Sequence, residues 1–532
     1  MTRYGRQRIT LQMPPNLDGS GLLVGWSHDL ERARTPMGFS FGDPKLTPAT
    51  GFIDPILMEN EGHLITIAPT GAGKGTACLI PALLRFDGPV IVIDPKGENA
   101  LVTARRRREM GHQVAIIDPL KITGLETAGL NPMDLLDPDS PTCVDDTLAM
   151  LQTLLNPHLQ SSTSNGEYWS ERGNTFVLGV MLHVLADLPE ERRHLGTVRE
   201  LVAKAIGEIG LYTEAVQSDS PLKRKGDLSG TVLGALERSR HPEAVRIGQM
   251  LRMGAASTLG GILSFSQSIV EIARGQAITD SLMKTDFSLD AVTRGDPLSI
   301  YLVLPPHMLD SHGQLLRLWV HTLTTLITRR NAKPPKATLF LLDEAAQLGT
   351  FSPLRRAITL MRGYGLQTWS FWQDPSQLRN LYPNDWQTMV NNCRAVQCFG
   401  ANTMLAAESM ASIVGYHPPD RLLDMGPDEM LLQLSGDAPQ PARLPNYLVD
   451  PAFEGMFDPN PFHDPNRPIM RTVEVPVDKP RPKRKSTKPK SGNGKSSDVL
   501  SPDELSDLLD GPAEADTPKP PKKGKAADKD ET

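Results

Sequence analysis

Short runs of apolar, largely β-branched residues recur along the chain at positions 64–68, 90–94, 114–118, 298–304, 338–343, 367–373, 395–399 and 430–434. Each is about five to seven residues long, and several close on a polar residue or a Gly/Pro turn, the habit of buried parallel strands. Helical patterns separate many of them, for example over 76–84 and 99–110. Strand, helix and strand in alternation predict a doubly wound α/β sheet. From about Asp134 to Asp286 the alternation stops, and helical periodicity dominates over 144–155, 168–188, 197–209 and 262–274. This predicts an all-α insertion within the α/β domain. Its mouth carries a polar loop, 160–166, and then the aromatic pair Tyr168-Trp169, whose plain role is to pack the helix start.

After about Asp450 the pattern decays into proline-rich sequence of low hydrophobicity, which cannot offset its ordering entropy. The domain plan is therefore an N-terminal segment 1–60, an α/β domain from 61–135 and 286–445, an all-α insertion 136–285, and a flexible tail 446–532. Within the tail, 479–495 is basic without an acid, and 498–516 is acidic with Leu500, Leu505, Leu508 and Leu509 on one face of a short helix. Two readings stay open: a solvated linker, or a docking peptide beside a patch for nucleic acid or acidic lipid.

A chain of 532 residues exceeds one ordinary domain, and 39% apolar with 22% charged residues fits a soluble globular protein. The formal charge of -6 argues against coating DNA by bulk electrostatics, so any nucleic-acid contact needs a local basic surface. Cys78, Cys143, Cys393 and Cys398 form no C-x-x-C pair and have no histidines at metal spacing, which suits a reducing cytoplasm. The first eleven residues are basic with no apolar stretch behind them, unlike a signal peptide. The most apolar helical run, 176–185, is far below the roughly 20 residues that cross a bilayer, so no transmembrane segment is expected.

Between the run 64–68 and the helix 76–84 the chain reads Ala68-Pro69-Thr70-Gly71-Ala72-Gly73-Lys74-Gly75-Thr76. A phosphate cradle needs glycines, because the backbone must turn tightly and aim N–H groups at phosphate oxygens with no side chain in the way. Gly71 and Gly73 supply that freedom, and Lys74 places a point charge on the β and γ phosphates. The cradle is expected over Thr70, Gly71, Ala72, Gly73, Lys74, Gly75 and Thr76. Against G-x-x-x-x-G-K-[ST], Ala68 replaces the first glycine and Gly75 stands where a hydroxyl should ligand Mg²⁺; Thr76 lies one residue on.

The run 338–343 ends in Asp343-Glu344. Asp343 is the natural ligand in the Mg²⁺ shell, and Glu344 is placed to activate or orient the attacking water. Gln373 ends the next strand, where its amide either senses the γ-phosphate or caps a turn. Arg362, just before that strand, is either an arginine finger for a neighbouring subunit's nucleotide or a surface arginine. Asp94-Pro95-Lys96-Gly97-Glu98 closes the strand after the P-loop helix, at the sheet edge where nucleotide would lie, or is simply a tight strand-to-helix turn.

The order APTGAGKG, VIVIDPKGE, TARRRREMG, IIDP, LNPMDLL, an α-helical insertion, LFLLDEAAQLG, MRGYGLQ and WQDPSQL resembles the type IV secretion coupling proteins of the TraG/TraD type. They are a branch of the FtsK/HerA motor ATPases, and the resemblance covers about residues 60 to 435. It implies a RecA-like P-loop motor domain with a mostly parallel sheet, assembled as a homo-hexameric ring with ATP and Mg²⁺ between subunits. It also implies a relaxase bound to single-stranded DNA, or a protein effector, as cargo for a type IV secretion channel. On this chain Lys74, Asp343, Glu344, Gln373 and Arg362 match the family's phosphate, metal, catalytic, sensing and arginine-finger positions. Gly75 resembles a branch that has glycine there.

Family members typically begin with transmembrane helices, and this chain begins with a short soluble segment. The resemblance thus implies a cytoplasmic protein, peripheral at the inner membrane through membrane components of the secretion system. Two alternatives differ in class: a soluble FtsK/HerA-type DNA translocase, and a substrate-presenting adaptor for protein secretion.

Overall fold

Every apolar run forms a strand. The computed structural model describes residues 4–17, 21–29, 51–59, 61–154, 164–217, 230–252, 256–416, 418–464 and 471–478. Its strands are β1 (Tyr4–Thr10), β2 (Leu22–Ser27), β3 (Pro55–Met58), β4 (His63–Ile67), β5 (Val90–Ile93), β6 (Gln113–Ile117), β7 (Leu298–Leu302), β8 (Thr338–Leu342), β9 (Leu366–Trp372), β10 (Cys393–Cys398), β11 (Glu429–Leu434), β12 (Gln440–Arg443) and β13 (Thr472–Asp478).

The centre of the main sheet is parallel, in the order β10-β4-β9-β8-β5-β7-β6. Strands β4, β5, β7, β8 and β9 are buried at every position, so β5 reads as a continuous apolar run, while the polar residues of β4, β7 and β9, such as Thr66, Ser299 and Gln367, are buried too. One expectation needs correction: 430–434 is not a parallel strand. β11 runs antiparallel to β10 and opens an antiparallel wing, β11-β12-β2-β3. An apolar run carries no information about strand direction; here the five-residue link 435–439 folds β11 back on β12.

The wing also corrects both ends of the domain plan. β2 and β3, from the segment expected to stand apart at 1–60, belong to the main sheet, and β1 pairs with β13. The stretch 446–464, expected to lie in the flexible tail, is packed. Tyr447, Ala452 and Phe453 share a core with Leu11, Met13, Leu23, Trp26, Ile53, Ile80, Leu84 and Val102. Trp26 Nε1 donates to Asp450 Oδ2 at 2.9 Å, Arg471 pairs with Asp450 Oδ1 at 3.3 Å, and Leu11 N donates to the Arg471 carbonyl at 3.0 Å. A few well-placed apolar residues suffice because their partners come from the other end of the chain, which average composition cannot register. The described residues up to Val477 fall in one compact unit. The basic run 479–495 and the acidic, leucine-bearing run 498–516 lie outside the described residues.

The expected insertion is helical: Cys143–Leu154, Ser164–Asp187, Leu195–Gln217, Val232–Glu237, Pro242–Arg252, Ala256–Val270 and Gln276–Ser281. Ser164, Asn165 and Gly166, expected in a loop, already belong to the second helix, and 160–163 lie outside the described residues. Trp169 packs over Gly261, where an added Cβ would meet its ring at 2.9 Å, while Tyr168 stays exposed. The insertion shares one core with the sheet, since Phe176, Val180 and Leu182 cluster with Ile65, Ile93 and Ile117.

The LNP motif staples the insertion's neck. Asn131 Nδ2 donates to the Arg193 carbonyl at 2.8 Å, and its backbone N–H donates to Thr285 Oγ1 at 3.0 Å. Thr285 in turn donates to Asp134 at 2.7 Å. Among the described residues no helix is long and apolar enough to cross a membrane.

Candidate functional site

The cradle follows β4. Gly71 and Gly73 hold φ of +82° and +91°, values that an L side chain adopts only under strain, and a Cβ built on either meets no atom within 4 Å. The loop therefore faces open space, and its glycines are required by backbone conformation rather than by crowding. Lys74 Nζ donates to the carbonyls of Ala68 at 2.8 Å and Pro69 at 3.2 Å, so the ammonium is folded over its own loop. Burial lowers its pKa, while the Glu344 and Asp343 carboxylates partly offset that. The helix begins with a π-wound turn, Gly75–Leu79, a winding that tends to mark functional sites. Thr70 is exposed, and Ala72, Gly75 and Thr76 are half-buried.

The parallel order brings the acidic residues to the same edge. β4 and β8 both flank β9, with Ile67 opposite Trp372 and Leu342 opposite Ser370. Asp343 directly follows β8, and burial with the adjacent Glu344 pushes its pKa up to about 6 against the opposing pull of Lys74 and Lys96. Glu344 adopts φ 60°, ψ 60°, a left-handed conformation that costs a non-glycine residue about 1–2 kcal/mol. Strain of this kind persists where the surroundings over-determine it, often at sites of chemistry. Gln373, one residue past β9, donates its amide to both Glu344 oxygens, at 2.8 and 2.7 Å. Gln373 therefore holds the carboxylate rather than merely ending a turn.

The DPKGE segment does more than turn the chain. Asp94 accepts from Ala100 N at 2.8 Å and Asn99 Nδ2 at 3.2 Å, anchoring the start of the helix Glu98–Glu109. Burial, with Asp343 nearby, pushes its pKa up to about 7. Glu98, the last residue of that segment, places its Oε1 4.0 Å from where a Cβ on Gly75 would sit. It accepts from Asn460 Nδ2 at 2.7 Å, and the same amide reaches the Tyr447 hydroxyl at 2.8 Å. Nothing in the local pattern marks Asn460 or Tyr447, which lie in the presumed tail.

A buried polar chain underlies the cradle. Trp369 Nε1 donates to Thr66 Oγ1 at 2.8 Å, Thr66 to Gln397 Oε1 at 2.6 Å, and Gln397 Nε2 to the Val24 carbonyl at 2.7 Å. Such fully paired polar groups fix the register of β9, β4, β10 and β2.

Arg362 is not brought to this edge. It sits exposed in the turn Met361–Tyr364 before β9, where its charge, after burial, helps lower the pKa of His63 to about 4. His63 opens β4, so Arg362 lies at the amino edge of the sheet, one strand length or about 15 Å from the cradle.

Known proteins resemble this architecture. Conjugal transfer protein TraG of Escherichia coli is 24% identical over 368 residues, covering 66% of this chain and 55% of that one. Type IV secretion system-coupling protein VirD4 of Bartonella quintana (strain Toulouse) is 25% identical over 345 residues, covering 63% and 50%. The chain thus spans about half the length of the curated relatives it matches. The solved structure of the bacterial conjugative coupling protein TrwBdeltaN70, in its unbound monoclinic form, gives a TM-score of 0.53 at 16% identity over 79% of this chain and 95% of that one. TrwB in complex with the non-hydrolysable ATP analogue ADPNP gives 0.52 at 17% identity over 73% and 85%. At such identities the likeness establishes the fold, a RecA-like α/β domain with a mostly parallel central sheet. Residues 29–417 match the family described as Type IV secretory system Conjugative DNA transfer, and the chain belongs to that family of type IV coupling proteins.

Proposed function

We propose that the chain binds ATP with Mg²⁺ at the cradle, hydrolyses it, and uses the cycle to deliver a relaxase bound to single-stranded DNA, or a protein effector, to a type IV secretion channel. The observation that carries this reading is the convergence of Lys74, Asp343 and the Gln373-held Glu344 on one edge of a parallel sheet. Bound Mg²⁺–ATP supplies the γ-phosphoryl group and the charge that assists its transfer.

The chain's own residues fit that ligand. The left-handed Gly71 and Gly73 leave the loop open to a phosphate, and Lys74 would give up its two carbonyl partners for phosphate oxygens. Asp343 would ligate the metal, whereas Thr76, expected to join it, lines the groove with Asp428 and Asn446. Mg²⁺ keeps several waters and shares one or two carboxylates with phosphates, and the buried Asp343 is such a carboxylate. Glu344 orients a water and accepts its proton at a carboxylate oxygen, and Gln373 fixes where that oxygen points.

Arg362, at the opposite edge, serves a nucleotide only in a neighbouring copy, which favours a homo-hexameric ring with composite sites. The ring works on the cytoplasmic side, held at the inner membrane by components of the secretion system.

Mixing tests the reading. Lys74→Ala and Arg362→Ala should each abolish hydrolysis, whereas a reassembled mixture should recover part of it, since about a quarter of interfaces pair an intact cradle with an intact arginine. Undiminished hydrolysis or DNA transfer with Lys74→Ala overturns the function, and a mixture that stays inactive overturns the role of Arg362.

A further inference from the structure

Beside the cradle runs a groove of about 340 Å³. One wall is Gly73, Thr76 and Ala77, the loop and first turn of the P-loop helix; the other is Asp428, Leu444 and Asn446. Its volume falls within the roughly 300–1,000 Å³ of small-molecule sites, and its lining has their character, apolar with a few polar groups. The phosphate end of a bound nucleotide is set by Gly71 to Lys74, and the groove leads away from it along Thr76 and Ala77.

The second wall is built in place. Leu444 N donates to the Asp428 carbonyl at 2.7 Å, Asn446 N to Asp450 Oδ2 at 2.8 Å, and Tyr447 N to the Thr76 carbonyl at 3.4 Å. Asp428 Oδ2 accepts from the buried Arg443 at 3.2 Å, yet 32% of the Asp428 side chain stays exposed. Arg443 also pairs with Glu429 at 3.5 Å, so its charge does not depend on Asp428 alone. Asp428, Leu444 and Asn446 all lie beyond 29–417, so this wall owes nothing to the matched family region.

We infer that the groove takes the nucleoside half of the nucleotide, Asp428 accepting a hydrogen bond from a ribose hydroxyl while Ala77 and Leu444 face the base. A carboxylate set against the ribose hydroxyls is an established way to read them. The inference rests on the P-loop reading and names the residues that select a ribonucleotide over bare polyphosphate.

The test is equilibrium binding to the full chain of three probes: ATP, 2′,3′-dideoxy-ATP and inorganic tripolyphosphate. The wild type should bind ATP about tenfold more tightly than the dideoxy analogue, the effect of one charge-assisted hydrogen bond. Asp428→Ala should erase that difference and leave tripolyphosphate binding unchanged. Thr472→Trp, at an exposed position on the rim of the groove, should weaken ATP by obstruction and spare tripolyphosphate. It also carries the test if Asp428→Ala does not fold.

A wild type that does not distinguish the two nucleotides, or groove variants that keep full ATP affinity, overturns the inference. Lys74→Ala separates the two levels, because it should weaken ATP and tripolyphosphate alike. If it does so while the groove variants have no effect, the groove assignment falls and the P-loop reading stands. If neither probe responds to Lys74→Ala, the P-loop reading itself falls.

Discussion

Replacing Asp450 with alanine should cost the folded chain about 3–5 kcal/mol, the penalty for stranding a buried charge. Its carboxylate sits at 2% exposure between Trp26 Nε1, Asn446 N and the Arg471 guanidinium. The substitution leaves Arg471, itself 9% exposed, without its counter-ion, and it strips a partner from Trp26. The charge dominates, since an orphaned neutral donor costs only about 1–3 kcal/mol and the two losses share one cavity.

Asp450→Asn should cost less, because the amide oxygen still accepts from Trp26 while the ion pair is lost. Pairing Asp450→Ala with Arg471→Met removes both charges and should return at least about 2 kcal/mol. Urea unfolding followed by tryptophan fluorescence gives the four corners of the cycle. An Asp450→Ala cost below about 1 kcal/mol, or a double variant no better than the single one, would refute the claim that Arg471 depends on Asp450 as its buried counter-ion.

Two further substitutions probe the site. Gly97 has φ +70° and a Cβ there would meet Thr123 Cγ2 at 2.5 Å, so Gly97→Ala should cost about 2–4 kcal/mol from backbone strain plus overlap. In a Thr123→Ser background, which keeps the hydroxyl bonded to Asp118 but removes the methyl, only the backbone part of about 1–2 kcal/mol should remain; an unchanged cost in urea titrations contradicts the overlap. Asp343 titrates near 6 when folded and near 4 when unfolded, so the native state holds a proton that the unfolded chain releases. Its contribution to stability is fully present below the unfolded value and lost as pH rises through 6. Metal binding needs the ionised form, so Mg²⁺-dependent ATP affinity should rise over the same interval. Asp343→Asn should remove its share of the stability slope and leave that of Asp94, which is pushed up to about 7, raise stability at neutral pH and abolish the Mg²⁺ dependence; a stability slope as steep as the wild type's, or a retained rise in Mg²⁺-dependent affinity, rules out Asp343 as the group responsible.

Local sequence determined the cradle and the strands. Gly71, Gly73 and Lys74 were legible because a glycine loop between a strand and a helix is contiguous in sequence, and Asp343-Glu344 because a carboxylate pair ending an apolar run marks a strand's exit from the core. Strand order, and with it what those residues touch, is a property of pairing. That Gln373 clamps Glu344 follows from β9 lying beside β8, and that Arg362 stands away from Lys74 follows from both belonging to opposite ends of parallel strands. No window of composition reveals that Trp26 meets Asp450, or that Asn446 faces Thr76 across a groove, because those contacts join residues hundreds of positions apart. A short apolar motif specifies that a segment is buried, while only the completed sheet and its wing decide against what.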